Sequence, residues 1–471
     1  MSILNINDLA LKLVALDFSD GHLPNNGGPT KTSRALAIIH LAAHDAYAQL
    51  TIGKSPFDKT NIKIPTPPAT LAKNEANASA ALLCAGFRAA TLLYPDFKKF
   101  IAIEAAKIFN SNDGDCCKDL ACKYGEQVAD AWIAARMNDG SSAPQLDTLY
   151  NQAAGRHRPD PLQPGQQALG RAWGLVTPFV ISSVQVDAPL KQPPSLDGLN
   201  DANVDVTVKG IPFTNYATAF KEVIKDGKND LPQKDWAKAV KGIFWGYDGA
   251  NKIGVPPRLY NQFVRAIDGF SELSHDLQIT VLTAINVAMA DAGIAAWYWK
   301  YQYDLWRPVV GIREAKAGWG PQGKGDENPA TTEDPFWIPL GAPNSNPINK
   351  PAINGTPNFP AYPSGHATFG AACFKTAAVL MMPTEPHSTP AEMETLLTKI
   401  KVSFISDEFN GVTTDNTGVV RPKFKANFNL FEAIEENNQS RIYLGVHWQF
   451  DAESGEKVGT AIATKVIAAF T

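Results

Sequence analysis

Residues Leu277 to Trp299 read LQITVLTAINVAMADAGIAAWYW, and Lys300 to Pro308 continue as KYQYDLWRP. Apolar residues occupy every side of the 3.6-residue period in the first stretch, which predicts a helix buried all round. It is long enough to cross a membrane, but Asn286 and Asp291 lie near its middle, where lipid would leave them unsolvated. A helix at the centre of a soluble bundle is therefore expected. Helical periodicity extends outward on both sides. It predicts helices over Ser33 to Leu50, Lys73 to Leu93, Phe97 to Phe109, Gly125 to Met137, Tyr216 to Ile224, Lys234 to Ile243 and Arg258 to Gly269. Further on it predicts Ala367 to Met382, Ala391 to Ile405, Asn427 to Leu444 and Trp448 to Phe470; the best strand candidate is Thr177 to Val186. The expected class is all-α, with two bundles of the four-helix type over residues 1–205 and 206–471 and the chemistry in the second.

Two irregular regions punctuate this pattern. His157 to Val206 separates the helical groups, and Gly318 to Pro363 holds ten prolines between Pro321 and Pro363. A loop of that length inside a compact domain is usually functional. Its apolar end, Asn358-Phe359-Pro360-Ala361-Tyr362-Pro363, predicts a packed rim to a site.

Composition excludes several classes. The 471 residues carry 43 Lys and Arg against 47 Asp and Glu, a net charge of −4, which leaves no electrostatic footprint for nucleic acid or an anionic membrane. Met1 to Asp20 is interrupted by Asp8, Lys12, Asp17 and Asp20 and is no signal peptide, so the cytoplasm is the default compartment, with export by another route left open. Cys84, Cys116, Cys117, Cys122 and Cys373 form no even framework, and reduced thiols are expected. His40 and His44, one turn apart, are expected to pack between helices rather than bind metal. The apolar faces of so many helices make a homodimer a reasonable expectation.

Three segments carry the chemistry. Lys300 and Arg307 are seven residues apart, almost two helical turns, so a helix ended or bent by Pro308 would present both cations on one face. Aromatic residues surround them, and Asp304, one turn after Lys300, is placed to hold its ammonium. Pro363-Ser364-Gly365-His366 precedes a run of small residues and reads as a helix start: Ser364 at the N-cap, Gly365 permitting close approach, and His366 able to move protons. In the third segment Arg441 and His447 are six apart and misaligned on a straight helix. Gly445 is expected to break that helix and redirect His447, with Asp451 orienting its imidazole. Two Arg and one Lys beside a helix N-terminus suit a tetrahedral oxyanion.

This order of motifs resembles the vanadium-dependent haloperoxidases and their relatives in the type 2 phosphatidic-acid phosphatase superfamily. The likeness runs from Trp297 to Asp451, and Phe359 to Gly370 resembles the fungal chloroperoxidase branch. It implies vanadate as cofactor, with His447 as the vanadium ligand and Lys300, Arg307, Ser364, Gly365 and Arg441 on the oxygens. His366 would be the acid–base residue, Lys300 would polarise bound peroxide, and Trp297 and Phe359 would line the halide side. The implied reaction uses hydrogen peroxide to oxidise bromide or chloride to hypohalous acid, which halogenates an organic acceptor. A soluble phosphatase forming a phosphohistidine at His447, or a non-catalytic oxyanion binder, would use the same pocket; the aromatic setting of Trp297, Trp306 and Phe359 favours the peroxidase.

Overall fold

The computed structural model describes residues 2–52, 62–109, 120–144, 150–198 and 214–471. The N-terminal helices are α1 (Ile3–Asp17), α2 (Gly28–Thr51), α3 (Glu75–Leu93), α4 (Lys98–Phe109) and α5 (Leu120–Ala135), followed by the single turn α6 (Val184–Asp187). Next come α7 (Tyr216–Asp226), α8 (Trp236–Phe244), α9 (Pro256–Arg265), α10 (His275–Tyr303) and the short α11 (Pro308–Arg313). The C-terminal group is α12 (Gly365–Met381), α13 (Pro390–Lys399), β1 (Lys401–Phe404), β2 (Ala426–Asn429), α14 (Leu430–Tyr443) and α15 (Gln449–Phe470). One continuous hydrophobic core runs through both helical groups.

α10 is that core's axis. It packs on α2 on one side and on α12 and α15 on the other. Its most apolar window is 94% buried, which agrees with a central bundle helix. Asp291 is accommodated because it accepts the backbone N–H groups of Phe179, Val180 and Ile181 at 2.6, 2.8 and 3.1 Å. Those bonds also explain why the strand expected over Thr177 to Val186 does not form. Its donors go to a buried carboxylate instead of a neighbouring strand, and the segment ends in α6.

The strands lie elsewhere. β1 and β2 pair antiparallel, Lys401 opposite Asn429, within stretches expected to be helical to Ile405 and from Asn427. α1 and α11 were not expected as helices. α12 and α15 approach closely through small residues: a Cβ on Gly455 would lie 2.6 Å from the Ser364 carbonyl, and one on Gly459 2.4 Å from that of Thr368. This contact sets the start of α12 against Asp451.

One expectation about cysteines is corrected. Cys84 of α3 and Cys122 of α5 form a disulfide, with Cα atoms 5.1 Å apart. The bridge spans 38 residues, so no local spacing signalled it. Cys116 and Cys117 lie outside the described residues, and Cys373 is buried and free. His40 packs as expected: Nδ1–H donates to the Leu36 carbonyl at 2.7 Å and Nε2 accepts from Asn7 at 3.1 Å. Burial lowers its pKa to about 4. The unfolded chain therefore takes up this proton below about 6.5 while the folded chain refuses it, and stability falls as pH drops through that window. His40→Gln should remove about 2 kcal/mol of the wild type's stability loss between pH 7 and pH 5, read from denaturation midpoints at the two pH values.

Candidate active site

Lys300 lies in the last turn of α10, fully buried. Its ammonium donates to three backbone carbonyls, Pro360 and Ala361 at 2.9 Å and Pro363 at 2.5 Å. Burial and the nearby Arg307 push its pKa well below the ordinary lysine value. The expected partner, Asp304, does not hold it. Asp304 caps α10 in the left-handed conformation (φ 55°), and its carbonyl accepts from His157 N–H at 2.9 Å. Burial raises its carboxyl to about 6.

The helix therefore ends before Arg307. A residue preceding proline disfavours helical geometry, and Arg307 is extended (φ −83°, ψ 157°) as the N-cap of α11. Lys300 and Arg307 converge through this turn, which replaces the shared helix face expected from their spacing. Arg307 is held by Nε to the Phe359 carbonyl at 2.9 Å and by Nη1 to the Val446 carbonyl at 2.7 Å and to His447 Nε2 at 2.9 Å.

Gly445 breaks the chain after α14 as expected, at φ 70°; a Cβ there would lie 2.2 Å from the Gly227 carbonyl. The turn brings His447 back to Arg307. Its Nδ1 meets Asp451 Oδ2 at 2.9 Å, and Asp451 also accepts the Trp448 N–H at 3.0 Å. A guanidinium can only donate, so Nε2 carries the lone pair and Nδ1 the proton, the tautomer a metal–oxygen centre requires of an Nε2 ligand. Burial, followed by Arg307, lowers the His447 pKa well below normal, and burial raises Asp451 to about 7.

Ser364 occupies the N-cap of α12, but its hydroxyl makes no capping bond. His366, in the first turn, donates Nε2–H to the Gly246 carbonyl at 2.8 Å, which leaves the lone pair on Nδ1. Burial, then Arg441, lowers its pKa to about 3, so the imidazole is neutral at pH 7. Trp297 and Phe359 pack with ring centroids 4.8 Å apart, and the guanidinium of Arg307 sits 4.8 Å over the Phe359 ring.

The sequence reading missed Asp248. It binds Arg441 in bidentate fashion, Oδ1 to Nη2 at 2.7 Å and Oδ2 to Nη1 at 2.9 Å, and lies 4.0 Å from His366 Nε2. Its only sequence signal is a carboxylate between glycines, Gly246-Tyr247-Asp248-Gly249. His157 was also missed as part of the surroundings. It is hydrogen-bonded to Asn358 Oδ1 at 2.9 Å, and burial and Arg307 lower its pKa to about 3.

The remaining donors define the guest. Among the described residues, Arg307 Nη2, Arg441 Nε and Ser364 Oγ are buried without a hydrogen-bond partner. Arg307, Gly365, His366, Arg441 and His447 line one cavity of about 410 Å³. Orphaned buried donors are rare unless a ligand completes them. Here Arg307 and Arg441 share their cavity with the imidazole lone pair of His447, a donor set that fits a tetrahedral oxyanion.

An all-α fold with a buried oxyanion cradle at the start of one helix defines the class of protein, and comparison with known proteins shows what the chain is similar to. Residues 280–471 match the VCPO second helical-bundle domain. The chain is 29% identical to the vanadium chloroperoxidase of Curvularia inaequalis, over 93% of this chain and 77% of that protein. A bacterial vanadium-dependent iodoperoxidase superposes with a TM-score of 0.67 at 19% identity, over 98% of this chain and 95% of its own. A holo-type bacterial vanadium-dependent chloroperoxidase gives 0.59 at 16%, over 94% and 93%. The chain is a homologue of the vanadium haloperoxidases, which are peroxidase-type enzymes.

Asp248→Ala would leave Arg441 buried without its carboxylate, and about 3 kcal/mol of stability should be lost. Millimolar orthovanadate should restore part of that loss in thermal denaturation, because the anion replaces the missing negative charge.

Proposed function

We propose that this chain oxidises halide with hydrogen peroxide, using vanadate held by His447, and releases hypohalous acid that halogenates organic compounds. The observation that carries the proposal is one cavity lined by Arg307, Arg441 and His447, in which both guanidinium groups keep an unpartnered buried donor and the Nε2 of His447 is unprotonated. Bound vanadate would supply a Lewis-acidic centre that activates peroxide without changing oxidation state.

The protein's own groups divide the remaining work. Arg307 Nη1 presently donates to His447 Nε2, and Arg307 would turn that donor to an anion oxygen when Nε2 takes its ligand. Arg441 is kept in place by Asp248, so its free Nε faces the anion at little reorganisation cost. Neutral His366 accepts the proton that peroxide gives up on binding, at Nδ1, because Nε2–H is committed to Gly246. Lys300 is tied to three carbonyls and would polarise bound peroxide by releasing one of them. Trp297 and Phe359 form a dry wall suited to a poorly hydrated halide, with bromide as the first substrate and chloride as the second.

Purified protein reconstituted with orthovanadate should brominate monochlorodimedone in the presence of bromide and peroxide. Rapid hydrolysis of p-nitrophenyl phosphate without any halogenation would instead establish the phosphatase reading of the pocket. His447→Ala should abolish vanadate-dependent activity and tight vanadate binding together. His366→Ala should lose about 10²-fold or more in turnover yet still bind vanadate, measured by equilibrium dialysis. Equal loss of binding in both variants would refute the division of roles.

A further inference from the structure

Phe359 belongs to no helix or strand, so its place in the wall depends on what lies behind it. The residue before it, Asn358, is buried and bonded to the segment 150–169 through both ends of its amide and through its carbonyl. Asn358 Nδ2 donates to the Tyr150 hydroxyl at 2.9 Å and to the Gln166 carbonyl. The Asn358 carbonyl accepts the Leu169 N–H at 3.1 Å. A carbonyl can only accept, so the amide nitrogen faces Gln166 and Oδ1 is the atom that meets His157 Nε2 at 2.9 Å. Nε2 therefore carries the ring proton of His157, and Nδ1 is buried without a partner. The backbone N–H of His157 is tied to the Asp304 carbonyl at 2.9 Å, beside the turn that leads to Arg307.

We propose that His157 is a positioning residue: by holding the Asn358 amide it fixes the ring and carbonyl of Phe359, and through them sets how strictly the pocket discriminates between halides. The inference rests on the peroxidase reading above and adds to it a residue that touches neither anion nor halide. Two links carry the effect forward from Asn358. The Phe359 carbonyl accepts Arg307 Nε at 2.9 Å, and the Phe359 ring lies 4.8 Å from that of Trp297. The same segment holds the other ring, because the Leu169 carbonyl accepts Trp297 Nε1–H at 3.1 Å. A displaced Asn358 would thus open the aromatic wall and loosen a guanidinium together. Iodide gives up electrons readily and tolerates loose placement, whereas bromide is harder to oxidise and depends more on the geometry of its approach.

Two uncharged, polar replacements separate this role from the filling of space. In His157→Gln the amide nitrogen reaches the position of Nε2 and can donate to Asn358; in His157→Asn it reaches only that of Nδ1 and cannot. With vanadate and peroxide, kcat/KM for bromide should fall about tenfold in His157→Asn, and that for iodide by less than about twofold. His157→Gln should stay within about twofold of wild type for both halides. Crystals of the vanadate-free variants should show the Phe359 carbonyl withdrawn from Arg307 Nε in His157→Asn and still bonded in His157→Gln. Tyr150→Phe, at a half-buried position, removes another bond of the same amide and should lower the bromide-to-iodide ratio too, which covers the case in which His157→Asn does not fold. Equal losses for the two halides, identical behaviour of His157→Asn and His157→Gln, or an unchanged ratio in Tyr150→Phe overturns the positioning role. A wild type that oxidises neither halide overturns the peroxidase reading instead, and the crystal structures still decide whether His157 holds Phe359.

Discussion

The site depends on one buried cation. Lys300 places a charged ammonium in the core, where desolvation is severe, and three carbonyls of the Pro360–Pro363 segment compensate for it. That arrangement joins the end of α10 to the turn that starts α12, and it anchors the rim that carries Phe359. The proline-rich segment suits this task because Pro360 and Pro363 lack N–H donors and offer carbonyls with few competing backbone partners. Once this turn is set, Ser364 and His366 can stand in register with Arg307 and His447.

Electrostatics around that anchor are arranged for an anion. Lys300, Arg307 and Arg441 outnumber Asp248 and Asp451, and burial weakens the proton affinity of both His366 and His447. An imidazole surrounded by guanidinium groups stays neutral, which keeps His447 able to coordinate and His366 able to accept a proton. The two carboxylates act as positioning groups, Asp451 fixing the tautomer of His447 and Asp248 the fork of Arg441. Donors held in place before the guest arrives need little rearrangement when negative charge develops, and that is the larger part of what such a cradle contributes to catalysis.

Much of this was legible in the linear chain, though for reasons that differ from residue to residue. The apolar run in α10, the glycine break at Gly445 and the four-residue step from His447 to Asp451 are local features, and local rules read them correctly. Lys300 and Arg307 were rightly paired on the wrong ground, since the chain turns at Asp304 where helical spacing had suggested continuity. Thr177 to Val186 has strand-like alternation, yet Asp291, more than a hundred residues away in sequence, takes its donors. The pairing of Cys84 with Cys122 is non-local in the same sense.

The sequence alone determined a mainly helical protein, the residue types of an oxyanion site and their order along the chain, because periodicity, caps and breakers act within a few residues. Tertiary structure decided which partners those residues keep. It handed Lys300 to carbonyls and not to Asp304, brought Asp248 to Arg441 across 193 positions, and left Arg307 and Arg441, which line one cavity, each with an unpartnered buried donor. Such assignments are settled by which buried polar groups meet when the helices pack, and no local rule encodes that.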